Sequence, residues 1–203
     1  MVGPTAPPAR SDNEGKYRSR NPVVRHLVGN FLRQVAAVVE GARPRRVLEV
    51  GCGEGIVLEY LSSRGGSGVR FDGLELDSAS LVEARGRCPA TSFMRGDACE
   101  LPIRSRTYDL VVCLEVLEHL HDPGQALREV RRVSRDGCLL SVPHEPFFRL
   151  GNALRGKNLA RLGDPSDHLQ HWGAREFAVF CGQHLTVRST TRAFPWVIVY
   201  GTV

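Results

Sequence analysis

Residues 47–55 read Val47-Leu48-Glu49-Val50-Gly51-Cys52-Gly53-Glu54-Gly55. An apolar β-type run ends in a carboxylate and then in three glycines at alternate positions. Glycine lacks a Cβ and tolerates φ > 0, so such a turn lets another molecule approach bare backbone. Glu49 suits a cationic ligand group, such as an α-ammonium, better than a pyrophosphate. The dinucleotide fingerprint Gly-x-Gly-x-x-Gly is not met, because its third glycine would fall at Ile56. A second acidic tip, Glu75-Leu76-Asp77, follows about twenty residues beyond the glycines, where a carboxylate can accept both hydroxyls of a ribose. Asp77 reads as the cap of the next helix rather than as a second ribose ligand. A third tip is Gly96-Asp97-Ala98, and a fourth strand runs through Leu114 into Glu115. Beyond it stand Glu115, Glu118 and His119, and later His168, His171 and Trp172. Two carboxylates and two imidazoles could hold one Mg²⁺, Mn²⁺ or Zn²⁺ ion and polarise a hydroxyl nucleophile. Without a metal, His119 could act as general base, with Glu118 beside it and His144 as a further candidate.

These residues need a frame to bring them together. Asn21-Pro22 reads as a helix start, with Val23, Leu27, Phe31, Val35 and Val38 near helical spacing and Gly41 and Pro44 as the stop. The glycine turn leads into a helix through Leu58 and Leu61, stopped by Gly65-Gly66. Helices are expected over 78–87, 123–134 and 173–184, and strands over 47–50, 69–77, 91–95, 108–114 and 138–142. Leu185 to Val203 holds two more strands, broken near Pro195. His26 and His184 fall on apolar helix faces and read as structural. Strands alternating with helices predict an α/β, doubly wound, mainly parallel sheet with helices on both faces.

Taken in order, Glu49 to Gly55, Gly73-Leu74-Glu75, Gly96-Asp97-Ala98 and Tyr108-Asp109-Leu110-Val111 resemble the motifs of class I S-adenosylmethionine-dependent methyltransferases, in particular the methyltransferase type 11 and ubiquinone-biosynthesis groups. The resemblance covers roughly residues 20 to 200 of the chain. It implies a seven-stranded Rossmann-like sheet closed by an antiparallel edge pair. It also implies that Gly51, Cys52, Gly53 and Gly55 wrap the methionine part of the cofactor, with Glu49 near its ammonium group. Glu75 would take the ribose hydroxyls, Leu76, Asp97 and Ala98 would surround the adenine, and Leu114 and Glu115 would border the sulfonium. Glu-x-x-Glu-His with a later histidine resembles the metal site of small-RNA 3′-end 2′-O-methyltransferases, which would make Glu115, Glu118, His119 and His168 ligands. The region ahead of the first helix often folds over the cofactor in such enzymes, so Tyr17 would cover the sulfonium or line the substrate site.

Residues 146–162 interleave Phe147, Phe148 and other apolar residues with Arg149, Arg155, Lys157 and Arg161, and contain no acid. In this fold an insertion at 146–170 lies over the substrate opening, where Phe147, Phe148, His144, His171 and Trp172 would meet the acceptor. The segment reads as a substrate lid, as a peripheral membrane contact, or, less favoured, as a contact to RNA phosphates. Residues 1–15 are rich in Pro, Gly and Ser and read as a disordered leader before one domain over 16–203. With 203 residues the chain can bury a substantial core without staples. Its six cysteines form no Cys-x-x-Cys pair, which suits a reducing compartment and gives no support to radical chemistry. No secretory h-region is present, so the cytoplasm is the expectation. The expected activity is methyl transfer to a small-molecule acceptor, on oxygen. The alternatives are an RNA ribose methyltransferase and a non-catalytic cofactor-binding subunit.

Overall fold

The computed structural model describes residues 13–64, 68–145 and 168–203. The described residues begin with a five-residue helix α1, Asn13–Tyr17, followed by α2, Pro22–Ala42. The N-terminus of α2 is where the sequence puts it: Asn21 accepts the Val23 N–H at 2.9 Å, and Pro22 occupies the first turn, where no N–H is needed. Gly41 does not stop the helix. It ends at Ala42, and Arg43 adopts the left-handed conformation, φ 49°, before Pro44. The buried stripe is also shifted. Val28, Phe31, Leu32, Val35, Ala36 and Val39 face the core, whereas Val23 is exposed. Two apolar stripes were available along this helix, and packing of Phe31 on Trp196, with centroids 4.9 Å apart, goes with the second one. His26 faces solvent rather than the core.

Seven strands follow: β1 Arg46–Val50, β2 Arg70–Glu75, β3 Ser92–Arg95, β4 Tyr108–Leu114, β5 Ser134–Pro143, β6 Thr186–Ala193 and β7 Trp196–Thr202. Between them lie α3 Ile56–Arg64, α4 Ser78–Arg87, a 3-10 turn Leu117–His119, α5 Pro123–Val133 and α6 Ala174–Gly182. The sheet order is β3-β2-β1-β4-β5-β7-β6. β3 to β5 are parallel, while β7 runs antiparallel to both β5 and β6, which is the expected edge pair. The expected stop at Gly65-Gly66 lies outside the described residues, as do most of the leader and of the 146–170 insertion.

Side chains along each strand alternate between two faces. Leu48, Val50, Val111, Cys113 and Leu140 join the core under α5 and α6, and Val47, Leu110, Val112 and Leu139 join the core under α2 and α3. Five of the six cysteines are buried and all are free, so they act as small core residues. No helix among the described residues is long and apolar enough to cross a membrane. β5 begins four residues before its expected start. Ser134 Oγ donates to the Gly137 carbonyl at 2.7 Å, and the β4–β5 register shifts between Tyr108 and Leu110, so a polar stretch is carried into the sheet.

Asp109, at that register shift, ties three strand starts together. Its carboxylate accepts the N–H groups of Arg45 and Arg46 at 2.9 Å each and pairs with Arg135 at 2.6 Å. Burial works to raise its pKa, but the two N–H groups and the Arg135 guanidinium outweigh it and hold the carboxyl below the ordinary value. The folded state therefore gains stability from this group above the unfolded value of ~3.9 and loses it as pH falls through the lower folded value. Asp109→Asn is expected to cost about 1–2 kcal/mol at pH 7. In urea melts that difference should shrink once the pH is taken below the folded value. A pH-independent difference would show that the charge is not responsible.

Candidate active site

The parallel register brings Val50, Leu74 and Cys113 to one level, so the acidic tips gather at a single edge of the sheet. The glycine turn is held there by β2. Gly51 and Cys52 both donate to the Leu74 carbonyl, at 2.8 and 3.1 Å, and Gly55 donates to the Cys52 carbonyl at 2.9 Å. Gly51, Gly53 and Gly55 have φ of 73°, 49° and 77°. At Gly51 a Cβ would run into Val116, and at Gly55 it would press on Ala84 at 3.2 Å. At Gly53 it would meet nothing within 4 Å, so the turn faces open space there. Glu75, expected at the ribose, is half-buried. Its Oε2 accepts the Gly53 N–H at 2.9 Å, while Oε1 accepts those of Leu76 and Asp77 at 2.7 and 2.9 Å. Asp77 caps α4 through Ser80, as expected. Next to these lie exposed Leu76, exposed Asp97, whose Oδ1 accepts the Cys99 N–H, and buried Ala98.

Glu49 is buried, and its Oε2 has no hydrogen-bond partner among the described residues. Burial, and then the Glu75 charge, push its pKa up to about 8. A buried orphan oxygen beside a glycine turn open at Gly53 fits the ammonium and methionine end of the expected cofactor.

Past β4 the arrangement differs in part from the expectation. Glu118, His119 and His168 converge, each offering a ligand atom within 4.8 Å of the others. The His119 and His168 rings lie 5.0 Å apart, edge to face, and His119 Nε2 is 3.9 Å from Glu118 Oε1. The Glu118 carbonyl accepts the N–H groups of Leu169 and Gln170, which fastens the distant segment in place. Glu115 does not join this group. With φ 57° its buried side chain turns toward the edge strands, where Trp196 Nε1 donates to Oε2 at 2.5 Å and Lys16 approaches the same oxygen at 3.3 Å. Ser141 Oγ contacts Oε1 at 3.5 Å. The expectation of Glu115 as a metal ligand is therefore corrected: the backbone at this residue aims its carboxylate elsewhere. Leu114 is buried just before it.

The remaining candidates divide. Tyr17 is half-buried and packs on the α2 side of the core. Its phenol is raised to about 12 by burial, an effect the nearby Lys16 charge opposes. For Lys16 burial works against the charge, but Glu115, Tyr17 and Glu118 prevail and hold its pKa above the ordinary lysine value. His144 and Trp172 are joined in a short parallel bridge. Burial, with the Arg192 charge nearby, lowers the His144 pKa and favours its neutral form. His171 is exposed, its ring 6.5 Å from that of His168. Trp172, expected at the acceptor, is half-buried and packs its ring on Phe177 and Phe180 of α6. Phe147 and Phe148 lie outside the described residues. Lys16, Ser141 and Trp196 were not signalled by the sequence as members of the site; only the need of a buried indole N–H for a partner hinted at Trp196. Grooves lined by Arg43, Leu61 and Phe71 and by Arg43, Arg45 and Tyr200 lie at the opposite edge of the sheet and share no residue with this site.

A doubly wound sheet with an acid-glycine turn after β1 and acidic tips after β2 and β3 defines a nucleoside-cofactor-binding protein. Residues 48–142 match the methyltransferase domain family. The chain is 37% identical over 109 residues to a "Probable S-adenosylmethionine-dependent methyltransferase" of Mycolicibacterium smegmatis, covering 53% of this chain and 41% of the relative. It is 32% identical to norajmaline N-methyltransferase of Rauvolfia serpentina, over 56% and 41% of the two chains. To a ubiquinone biosynthesis O-methyltransferase of Nitrosomonas europaea it is 30% identical, over 52% and 46%. Among solved structures, magnesium protoporphyrin IX methyltransferase of Synechocystis with bound SAH shares the fold at TM-score 0.69 and 18% identity, over 93% and 91% of the two chains. The family match and these relatives support the class I S-adenosylmethionine-dependent methyltransferase reading. It spans roughly half the length of the curated relatives it matches.

Glu49 gives a test of the cradle. At pH 7 its carboxyl is mostly protonated, and an ammonium group arriving beside it would favour the carboxylate. Titration of S-adenosylhomocysteine at pH 7, in buffers of different ionisation enthalpy, should show release of up to about one proton per cofactor bound. Affinity should rise with pH until about 8, where the Glu49 carboxyl is lost. Glu49→Gln should abolish both effects. Equal proton release in that variant would remove Glu49 from the ammonium site.

Proposed function

We propose that this chain binds S-adenosylmethionine and catalyses methyl transfer to a hydroxyl oxygen of a small-molecule acceptor. The observation that carries the reading is the meeting, at one sheet edge, of the open glycine turn beside Glu49 with the Glu118–His119–His168 group past β4. Gly51, Gly53 and Gly55 wrap the methionine part, Glu75 takes the ribose hydroxyls, and Leu76, Asp97 and Ala98 surround the base. S-adenosylmethionine supplies a methyl group already activated on a sulfonium, so the protein's tasks are alignment and removal of a proton. His119, beside the Glu118 carboxylate, accepts the hydroxyl proton as general base. Burial favours neutral His144, which provides a second acceptor of that proton. Tyr17 and exposed His171 border the acceptor.

One point favours oxygen: a ubiquinone biosynthesis O-methyltransferase is among the relatives. The run after β4, Glu115-Val116-Leu117-Glu118, lacks the Asn-Pro-Pro-Tyr element of amino-directed methyltransferases, which weakens nucleic-acid-base and protein-glutamine acceptors. The norajmaline N-methyltransferase similarity keeps nitrogen as the runner-up.

A second reading rests on the same three side chains. Glu118, His119 and His168 offer one carboxylate and two imidazoles, a donor set suited to Mg²⁺, Mn²⁺ or Zn²⁺. A cation held there would polarise the acceptor hydroxyl, and the acceptor would then include the ribose of an RNA end.

Three substitutions test these assignments. Glu75→Ala should weaken S-adenosylhomocysteine binding by about tenfold or more, through the glycine turn as well as the ribose. Glu118→Ala and His119→Ala should leave that affinity intact and lower kcat by about 10²-fold or more. If chelator removes activity and Mn²⁺ or Mg²⁺ restores it, the metal reading gains; activity indifferent to chelator favours His119 as a plain base. Full turnover in both variants would refute either role. Cofactor binding without transfer to any metabolite or RNA acceptor would point to a non-catalytic subunit.

A further inference from the structure

Lys16 stands outside every motif, yet its ammonium reaches Glu115 just past β4. Its Nζ lies 3.3 Å from Glu115 Oε2, with the lysine side chain 20% exposed and the glutamate 7%. The ammonium also lies 5.7 Å from the Trp196 ring centroid and 5.2 Å from that of Tyr17. Both aromatic faces add cation–π attraction to the ion pair. The pair joins α1 to the first residue past β4, 99 residues away in sequence.

The two partners are held very differently. Glu115 is built in: its backbone is left-handed, and Trp196 and Ser141 bind its carboxylate from β7 and β5. α1 has five residues, too few to be a stable helix alone, so contacts with the rest of the fold must dock it. Tyr17, the next residue, packs on the α2 side of the core and feels the charges of Glu115 past β4, Glu49 in β1 and Glu54 on the glycine turn. The arm thus lies near residues of both halves of the site.

We propose that Lys16 is a positioning residue whose ion pair with Glu115 latches α1 across the cofactor opening. With the latch closed, Tyr17 covers the methionine end of the site; cofactor enters and leaves when it opens. This rests on the cofactor reading above. Loss of Lys16 leaves Glu115 its Trp196 and Ser141 contacts, so the carboxylate keeps hydrogen-bond donors and the effect falls mainly on the arm. The charge is the element that matters, because methionine preserves most of the apolar stem and arginine preserves the cation.

The test compares Lys16→Met and Lys16→Arg with the unaltered chain, using two readouts. Hydrogen exchange of the backbone amides at 14–19 in the ligand-free protein reports the latch alone. Stopped-flow release of S-adenosylhomocysteine reports its coupling to the cofactor site. Lys16→Met should speed arm exchange and raise the release rate about tenfold, with the ligand-free Tm lowered by no more than about 2–4 °C. Lys16→Arg should restore both readouts. Unchanged arm exchange in Lys16→Met overturns the latch, and faster exchange with unaltered cofactor release overturns its gating role. Failure of arginine to rescue shows that the charge is not the agent. If the unaltered chain binds no S-adenosylhomocysteine, the cofactor reading falls and the gating role falls with it, while the exchange result still decides whether the pair docks α1.

Discussion

The site depends on β2 supplying the acceptors that hold an otherwise unsupported turn. Between β1 and α3 the chain passes through three left-handed glycines, and such a segment has little conformational preference of its own. The Leu74 carbonyl takes two N–H groups from it, and the Glu75 carboxylate takes a third at Gly53. The outer wall is thereby fixed by a neighbouring strand that itself pairs with β1, so turn and sheet form together. Val116 closes over Gly51 from the β4 side, and this contact is possible only where no Cβ intervenes.

A second constraint is the concentration of acid at one edge. Glu49, Glu75, Glu115 and Glu118 lie at or just beyond strands that end together, three of them buried. Each meets its charge differently. Glu75 accepts backbone N–H groups, Glu115 meets a cation and an indole, and Glu49 rises in pKa beside the turn. The contrast between Glu49 and Glu115 is instructive, since both are buried carboxylates at strand ends. The glutamate with protein partners is part of the frame. The one whose Oε2 has no partner among the described residues is the one the proposed cofactor would meet.

Much of this was legible in the sequence, and the rest was not for identifiable reasons. Apolar runs interrupted by acid and glycine located the strands along the chain, the seven-stranded sheet with its edge pair came from the family resemblance, and Asn21, Asp77 and Gly173 marked helix starts because caps are local. The cradle residues were legible because a glycine turn must be contiguous. Long-range pairings have no such signature. Trp196 meets Glu115 across 81 residues, and the first three residues of α1 fall in the expected leader because five residues carry too little periodicity to register. Glu115 misled for the opposite reason. Glu115 and Glu118 stand three apart, a spacing that shares a face on a helix, but a left-handed backbone at Glu115 breaks that geometry. The shifted stripe of α2 shows the same limit, since periodicity alone cannot choose between two adjacent apolar faces.

The chain leaves the frame and re-enters it at nearly one place. Glu145 donates its N–H to the Trp172 carbonyl, His144 bridges to Trp172, and Leu169 and Gln170 are fastened to the Glu118 carbonyl. The two ends that flank residues 146–167 are thus tied to each other and to the turn after β4 by backbone contacts of the frame itself. Where a frame already holds two ends together, the length of chain joining them weighs little: doubling a loop costs only about 0.6 kcal/mol in closure entropy. The join is a place where this scaffold tolerates insertion without disturbing the strands on either side.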